Sequence, residues 1–159
     1  MENLRFIKII YKKKPRFLVD PEGDYIIKDG KIVADEARKK TDKELDVLLK
    51  GNAYLKTRLK DIKDPDKKLY YAKVWLITEA NDLTKLKNHS RRSFKGFHLD
   101  HIFPIAEGYK NNIPPEVIGN IKNLQFLARK SNLKKRDLIT EKGEKIVKDL
   151  LNEMVPDKV

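Results

Sequence analysis

Between Phe97 and Asp137 the residue pattern changes period several times within one short span, and that order constrains the fold more than any other stretch. Phe97 and Leu99 alternate with His98 and Asp100, the period of a strand that buries the first pair and presents the second. Pro104 ends that strand. Gly108, Asn111, Asn112, Pro114 and Pro115 then mark a loop with one short helical turn, reaching to about Ile118. Asn123-Leu-Gln-Phe-Leu reads as a second short strand, and a helix begins near Arg129. Strand, loop, strand and helix follow one another, with polar side chains at both ends.

The remainder supports an α+β reading. Residues 4–10 and 16–19 are short apolar runs separated by lysines and Pro15. Asp29-Gly30 supplies a tight turn between Tyr25–Lys28 and Lys31–Ala34, so a small antiparallel sheet is expected to open the chain. Helical patterning follows. Thr41-Asp42-Lys43-Glu44 fits a capping box, with Leu45, Leu48 and Leu49 on one face and Gly51 at the C-terminal cap. A second segment, Ala53 to Lys63, turns Leu55, Leu59 and Ile62 inward. Asp64-Pro65 starts a third helix, with a core stripe of Leu69, Ala72, Trp75, Leu76 and Thr78–Ala80. Trp75 in such a stripe is read as core rather than as a base-stacking residue. Residues 81–95 form a basic loop in which His89 is a surface histidine, and Thr140 to Val155 is an amphipathic helix packed back on the domain. The expected division is a β-then-helical region at 1–83, positioning DNA or contacting a partner, and a second domain at 84–159.

Charge sharpens this picture. The chain has 159 residues, a net charge of +12 and no cysteine, which excludes disulfides, thiolate zinc sites and cysteine nucleophiles. Residues 84–136 hold 12 Lys/Arg against 3 Asp/Glu, whereas residues 1–83 hold 20 against 15 and residues 137–159 hold 4 against 6. A local excess of that size suits a polyphosphate partner. No apolar run resembles a signal peptide or a membrane span, so the expectation is a cytoplasmic protein without membrane contact.

Asp100 and Asn132 offer hard oxygen donors suited to Mg²⁺ or a similar divalent ion. His101 is of the type that takes a proton from an attacking water. Lys135 and Arg136, three and four residues beyond Asn132, fall on its helix face and can hold flanking phosphates. Arg91, Arg92, Lys95, Arg129, Lys130 and Lys134 extend the basic surface for nucleic acid. Taken singly, Asp100-His101 is better read as a turn pair, and Asn132 with its cations can be read as a charged helix face.

In combination, FHLDHIFPI followed by IKNLQFLARKSNLKK resembles the HNH endonucleases of the ββα-metal fold, particularly phage-type members and the HNH domain of RNA-guided CRISPR effectors. The resemblance covers about residues 94–137 and rests on Asp-His before a hydrophobic residue and proline, two Asn nine apart, and a Lys three beyond the second. It implies a ββα-metal core in the C-terminal half and cleavage of DNA, duplex by expectation, to 5′-phosphate and 3′-hydroxyl ends. Asp100 and Asn132 would be metal ligands for Mg²⁺ or Mn²⁺, with Asn where many relatives have His. His101 would be the general base. Asn123 would brace the loop and orient that base, and Lys135 would approach the scissile phosphate. His98 would be a supporting residue. Structural zinc is not expected. A monomer would nick, and a homodimer or a DNA-processing partner would be needed for double-strand breaks, in a phage or mobile-element setting within a bacterial cell. Two other classes stay open: a nucleic-acid-binding module that does not cut, and a toxin-type nuclease paired with an acidic inhibitor.

Overall fold

The computed structural model describes four N-terminal strands by their backbone, and residues 36–154 beyond them, with side chains from residue 39. It divides into two compact units, Met1–Val47 and Leu48–Val159. No described helix is long and apolar enough to cross a membrane.

The first unit contains two antiparallel hairpins. Strands β1 (Phe6–Tyr11) and β2 (Lys14–Val19) pair from Phe6↔Val19 to Tyr11↔Lys14. Strands β3 (Tyr25–Lys28) and β4 (Lys31–Ala34) pair from Tyr25↔Ala34 to Lys28↔Lys31. The expected opening sheet is therefore two separate two-stranded ladders. The Asp29-Gly30 turn itself lies outside the described residues, as do Leu4 and Arg5 at the start of the first run.

Helix α1 (Glu36–Leu49) begins five residues before Thr41, so the expected capping box is helix interior. A Ser/Thr-x-x-Glu pattern marks a helix start only where the preceding residues leave the helical conformation, and here they do not. The far end agrees with expectation: Leu45 and Leu49 are buried, and Gly51 adopts φ +73°, the left-handed conformation a glycine cap supplies.

The second unit opens with α2 (Ala53–Arg58), capped by Asn52, whose Oδ1 accepts from the Leu55 N–H at 3.0 Å. Leu55 and Leu59 are almost completely buried, while the helix stops five residues short of the expected Lys63. Helix α3 (Pro65–Ala80) starts where Asp64-Pro65 predicts, with Asp64 Oδ1 accepting from the Asp66 and Lys67 N–H groups at 2.9 and 3.3 Å. Its buried stripe is Ala72, Val74, Trp75 and Thr78, whereas Glu79 and Ala80 are exposed. Two short 3₁₀ turns occupy the basic segment that follows.

Strands β5 (Phe97–His101) and β6 (Leu124–Ala128) then pair antiparallel from Phe97↔Ala128 to His101↔Leu124. Between them lie α4 (Ile105–Lys110) and α5 (Pro115–Ile118), two short helices where one turn was expected. Helix α6 (Arg129–Lys135) follows β6 directly, and α7 (Glu141–Met154) closes the chain, burying Gly143, Val147 and Leu150. A Cβ on Gly143 would lie 3.1 Å from the Ile102 carbonyl oxygen, so α7 seats against the backbone just after β5. Gly119 does the same for α3 and α5, since a Cβ there would meet Ile77 side-chain atoms at 2.9 Å and the Val74 carbonyl at 3.0 Å. The whole is α+β and mostly helical, with small two-stranded sheets. Helices α2 and α3 belong to the same compact unit as β5, β6 and α6, which places the division at residue 47 rather than the expected 83.

Candidate active-site cleft

Strand β5 ends with Asp100 and His101 side by side, and both are buried. The alternation expected to bury Phe97 and Leu99 and present His98 and Asp100 is not followed: Leu99 and Asp100 are buried, and Phe97 and His98 half-buried. Thr78 on α3 reaches His101 and Lys135 on α6 reaches Asp100, so both residues at the strand end are engaged by helices and burial there does not track the pleat.

Asp100 is held by two donors. Gln125, directly opposite on β6, donates from Nε2 to Oδ2 at 2.8 Å, and Lys135 donates from Nζ to Oδ1 at 3.1 Å. The same Lys135 ammonium donates to the His101 backbone carbonyl at 2.9 Å. Lys135 and Asp100 are only 13% and 8% exposed, so this is a partly desolvated pair, stronger than a surface bridge. The ammonium marks a point where a carboxylate and a carbonyl oxygen converge on positive charge. Those are the donors a hard cation takes, and they fit one. Among the described residues no three His, Cys, Asp or Glu side chains gather, so any metal site here draws on amide or carbonyl oxygens as well.

His101 is 6% exposed, with its Nε2 2.8 Å from Thr78 Oγ1 on α3 and its ring edge-on to Trp75 at 5.0 Å. Nε2 has that one partner. His101 lines a cleft, and no buried side-chain nitrogen or oxygen among the described residues lacks a partner. Burial, then the nearby Arg58 and Lys135 charges, push the imidazole pKa down to about 3, so it is neutral at physiological pH.

Asn123, expected to brace the loop, is fully buried and does so at both ends. Its Oδ1 accepts from the Phe103 N–H at 2.7 Å, while Nδ2 donates to the Phe103 and Ile118 carbonyls at 3.1 and 2.9 Å. Its backbone carbonyl accepts from the Ile102 N–H at 2.8 Å. It makes no bond to the His101 ring. It fixes the backbone beside that residue, and Thr78 holds the imidazole.

Asn132 is half-buried, with its Nδ2 3.3 Å from His98 Nδ1, and His98 Nε2 lies 2.8 Å from the Phe94 carbonyl. Asp100, His101, Asn132 and Arg136 all line one cleft of about 610 Å³. His98 lines an adjoining one of about 430 Å³ that shares Asn132, Trp75 and Arg58 with the first. Arg136 does not continue the α6 face as its spacing suggests. It caps the helix at φ +47°, a conformation rare for a side-chain-bearing residue, and leaves the helix there.

The other expected cations divide by environment. Arg92 is bound by both Glu79 oxygens, at 2.6 and 3.2 Å, which compensates its charge and weakens its expected role toward nucleic acid. Arg91 stacks on Phe97 at 4.2 Å and Arg129 on Phe94 at 5.8 Å. Lys95, Lys130 and Lys134 are exposed. His89 is half-buried, edge-on to Phe126 at 5.8 Å, rather than a plain surface residue.

Sequence reasoning missed Thr78, Gln125 and Arg58. A lone polar residue inside an apolar strand was the available signal for Gln125. Arg58 sits one residue before Leu59 on a short amphipathic helix, so its place beside the core was also legible. Thr78 was placed in the core stripe of its helix, and a hydroxyl at that inward position was the signal for a buried polar partner. Trp75 is core, as expected, and 5% exposed, yet one face of its ring carries the Arg58 guanidinium. Comparison with protein-family models, curated proteins and solved structures produced no match.

Proposed function

We propose that this protein is a metal-dependent endonuclease of the HNH type, with β5, β6 and α6 as a ββα-metal core that hydrolyses DNA phosphodiesters. One observation carries the reading: strand end and following helix bring Asp100, His101 and Asn132 to one cleft, with Lys135 bonded to Asp100 and Asn123 stapling the loop between. In this reading His101 Nδ1 accepts a proton from a water attacking phosphorus in line, the P–O3′ bond breaks with its electron pair on O3′, and a proton from solvent water completes the 3′-hydroxyl opposite the new 5′-phosphate. Thr78 holds the ring through Nε2, which leaves Nδ1 as the nitrogen to take the proton. Asp100, Asn132 and the His101 carbonyl are the groups that would hold Mg²⁺ or Mn²⁺, and Lys135 would leave Asp100 to engage a phosphate oxygen. When bound, the cation supplies charge stabilisation at a non-bridging oxygen and at the departing 3′ oxygen.

The test is nicking of supercoiled plasmid in Mg²⁺, Mn²⁺ or EDTA by wild type and His101→Ala, with DNA binding measured on both. Metal-dependent nicking lost only in the variant supports the hydrolase. Burial of His101 and the Lys135–Asp100 pair favour a second reading, a nucleic-acid-binding module that does not cut. Equal binding with no nicking by either protein selects it.

A further inference from the structure

Arg58 stands apart from the other cations around the cleft. Its guanidinium carbon lies 3.7 Å from the centroid of the Trp75 ring, and Nη1 donates to Tyr54 Oη at 3.0 Å. No carboxylate partners it among the described residues, in contrast to Arg92 with both Glu79 oxygens. It lines both the cleft holding Asp100 and His101 and the adjoining one holding His98. The ring beneath it, Trp75, is in edge contact with His101. A planar cation thus lies over an aromatic face, restrained from a second side by a hydroxyl, with unused N–H donors.

We infer that Arg58 is a phosphate seat: it binds a backbone phosphate of the nucleic-acid strand lying across the two joined clefts. The guanidinium fork matches phosphate oxygens two at a time, and stacking removes much of the rotamer freedom that an arginine otherwise loses on binding. A guanidinium that merely covered tryptophan would serve as well if paired with an acid, but this one faces a cleft with its charge uncompensated. The seat is contributed by α2, outside the β5–α6 segment, so the strand would be gripped from both walls. The inference rests on the nuclease reading only in taking the anion to be a nucleic-acid phosphate.

The experiment measures binding of a fluorescein-labelled DNA duplex by anisotropy, in EDTA and over a range of salt, for wild type, Arg58→Met, Arg58→Lys and Lys148→Met. Lys148 is an exposed cation on α7 that lines neither cleft and serves as the equal-charge control. Each lost phosphate contact lowers the slope of log K against log salt by about 0.9. Arg58→Met is expected to lose that amount and about tenfold in affinity at low salt, while Arg58→Lys and Lys148→Met keep the wild-type slope. An unchanged slope in Arg58→Met overturns the inference, as does an equal loss in Lys148→Met or no binding by wild type. Melting curves confirm that each variant is folded, and Arg58→Gln, which also removes the charge, takes the place of Arg58→Met should that variant not fold: an unchanged slope in Arg58→Gln would then overturn it. Plasmid nicking by wild type in Mg²⁺ separates the two ideas. Nicking with an unchanged Arg58→Met slope sinks the seat alone, and a lowered slope without nicking sinks the nuclease reading alone.

Discussion

Replacing Asn123 by alanine removes the part that joins the two ends of the loop between β5 and β6. The side chain is fully buried and makes three hydrogen bonds, two to Phe103 and one to Ile118, spanning 20 and 5 residues of sequence. Truncation leaves the Phe103 N–H, the Phe103 carbonyl and the Ile118 carbonyl without this partner. Each costs about 1–1.3 kcal/mol net, so the variant should lose about 3–4 kcal/mol. For a chain of this size that lowers the melting temperature by roughly 6–16 °C. Asn123→Asp, though nearly isosteric, should be worse. It keeps the acceptor for the Phe103 N–H but sets a carboxylate oxygen against two carbonyl oxygens now 2.9 and 3.1 Å from the amide nitrogen. Urea denaturation followed by far-ultraviolet circular dichroism and Trp75 fluorescence measures both variants. A loss below about 1 kcal/mol in Asn123→Ala, or an aspartate variant as stable as wild type, would refute the staple, because three satisfied buried bonds cannot be removed so cheaply.

Lys135→Met leaves the buried Asp100 carboxylate with Gln125 as its remaining hydrogen-bond donor, so the metal-free variant should be destabilised by about 3 kcal/mol. Because Mn²⁺ then no longer competes with an ammonium, it should raise the melting temperature of Lys135→Met more than that of wild type; equal shifts by thermal denaturation would count against Asp100 as a cation ligand. His101 has a folded pKa near 3 against 6.5 unfolded, so the unfolded chain binds the proton more readily and stability falls as pH drops from about 6.5 toward 3. His101→Asn, measured in EDTA, should remove up to about 5 kcal/mol of that acid-side dependence; parallel stability–pH curves would show that the imidazole is not desolvated. Gly119→Ala sets a Cβ 3.0 Å from the Val74 carbonyl, backbone that cannot swing aside, and should cost about 1–3 kcal/mol in denaturant melts.

The central stretch was legible because its signals are local. Phe97 to Asp100 and the run from Asn123 to Leu127 locate two strands, although the first ends at His101 rather than at the proline at 104, and Asp64-Pro65 locates the start of α3. Asn123 could be assigned to bracing the loop from its place in the motif. The capping box at Thr41 misled for the opposite reason: a cap is defined by where the preceding backbone leaves the helix, and the four residues alone do not contain that information. The single turn expected before Ile118 became α4 and α5 because prolines at 104, 114 and 115 start helices as readily as they end strands.

By itself, then, the sequence determined the order of elements, the hairpin registers' neighbourhood, the basic bias of residues 84–136 and the set of side chains with hydrogen-bonding and charge chemistry in one segment. Only the tertiary structure decided how those side chains are used. Thr78 meets His101 across 23 residues, Lys135 meets Asp100 across 35, and Arg58 settles on Trp75 from a different helix. Such pairings depend on how α2, α3 and α6 are packed together with β5. Close packing of this kind, seen also where Gly119 admits Ile77 between α3 and α5, follows from the shape of buried surfaces, and surface complementarity between segments far apart in the chain leaves no periodic trace in either one.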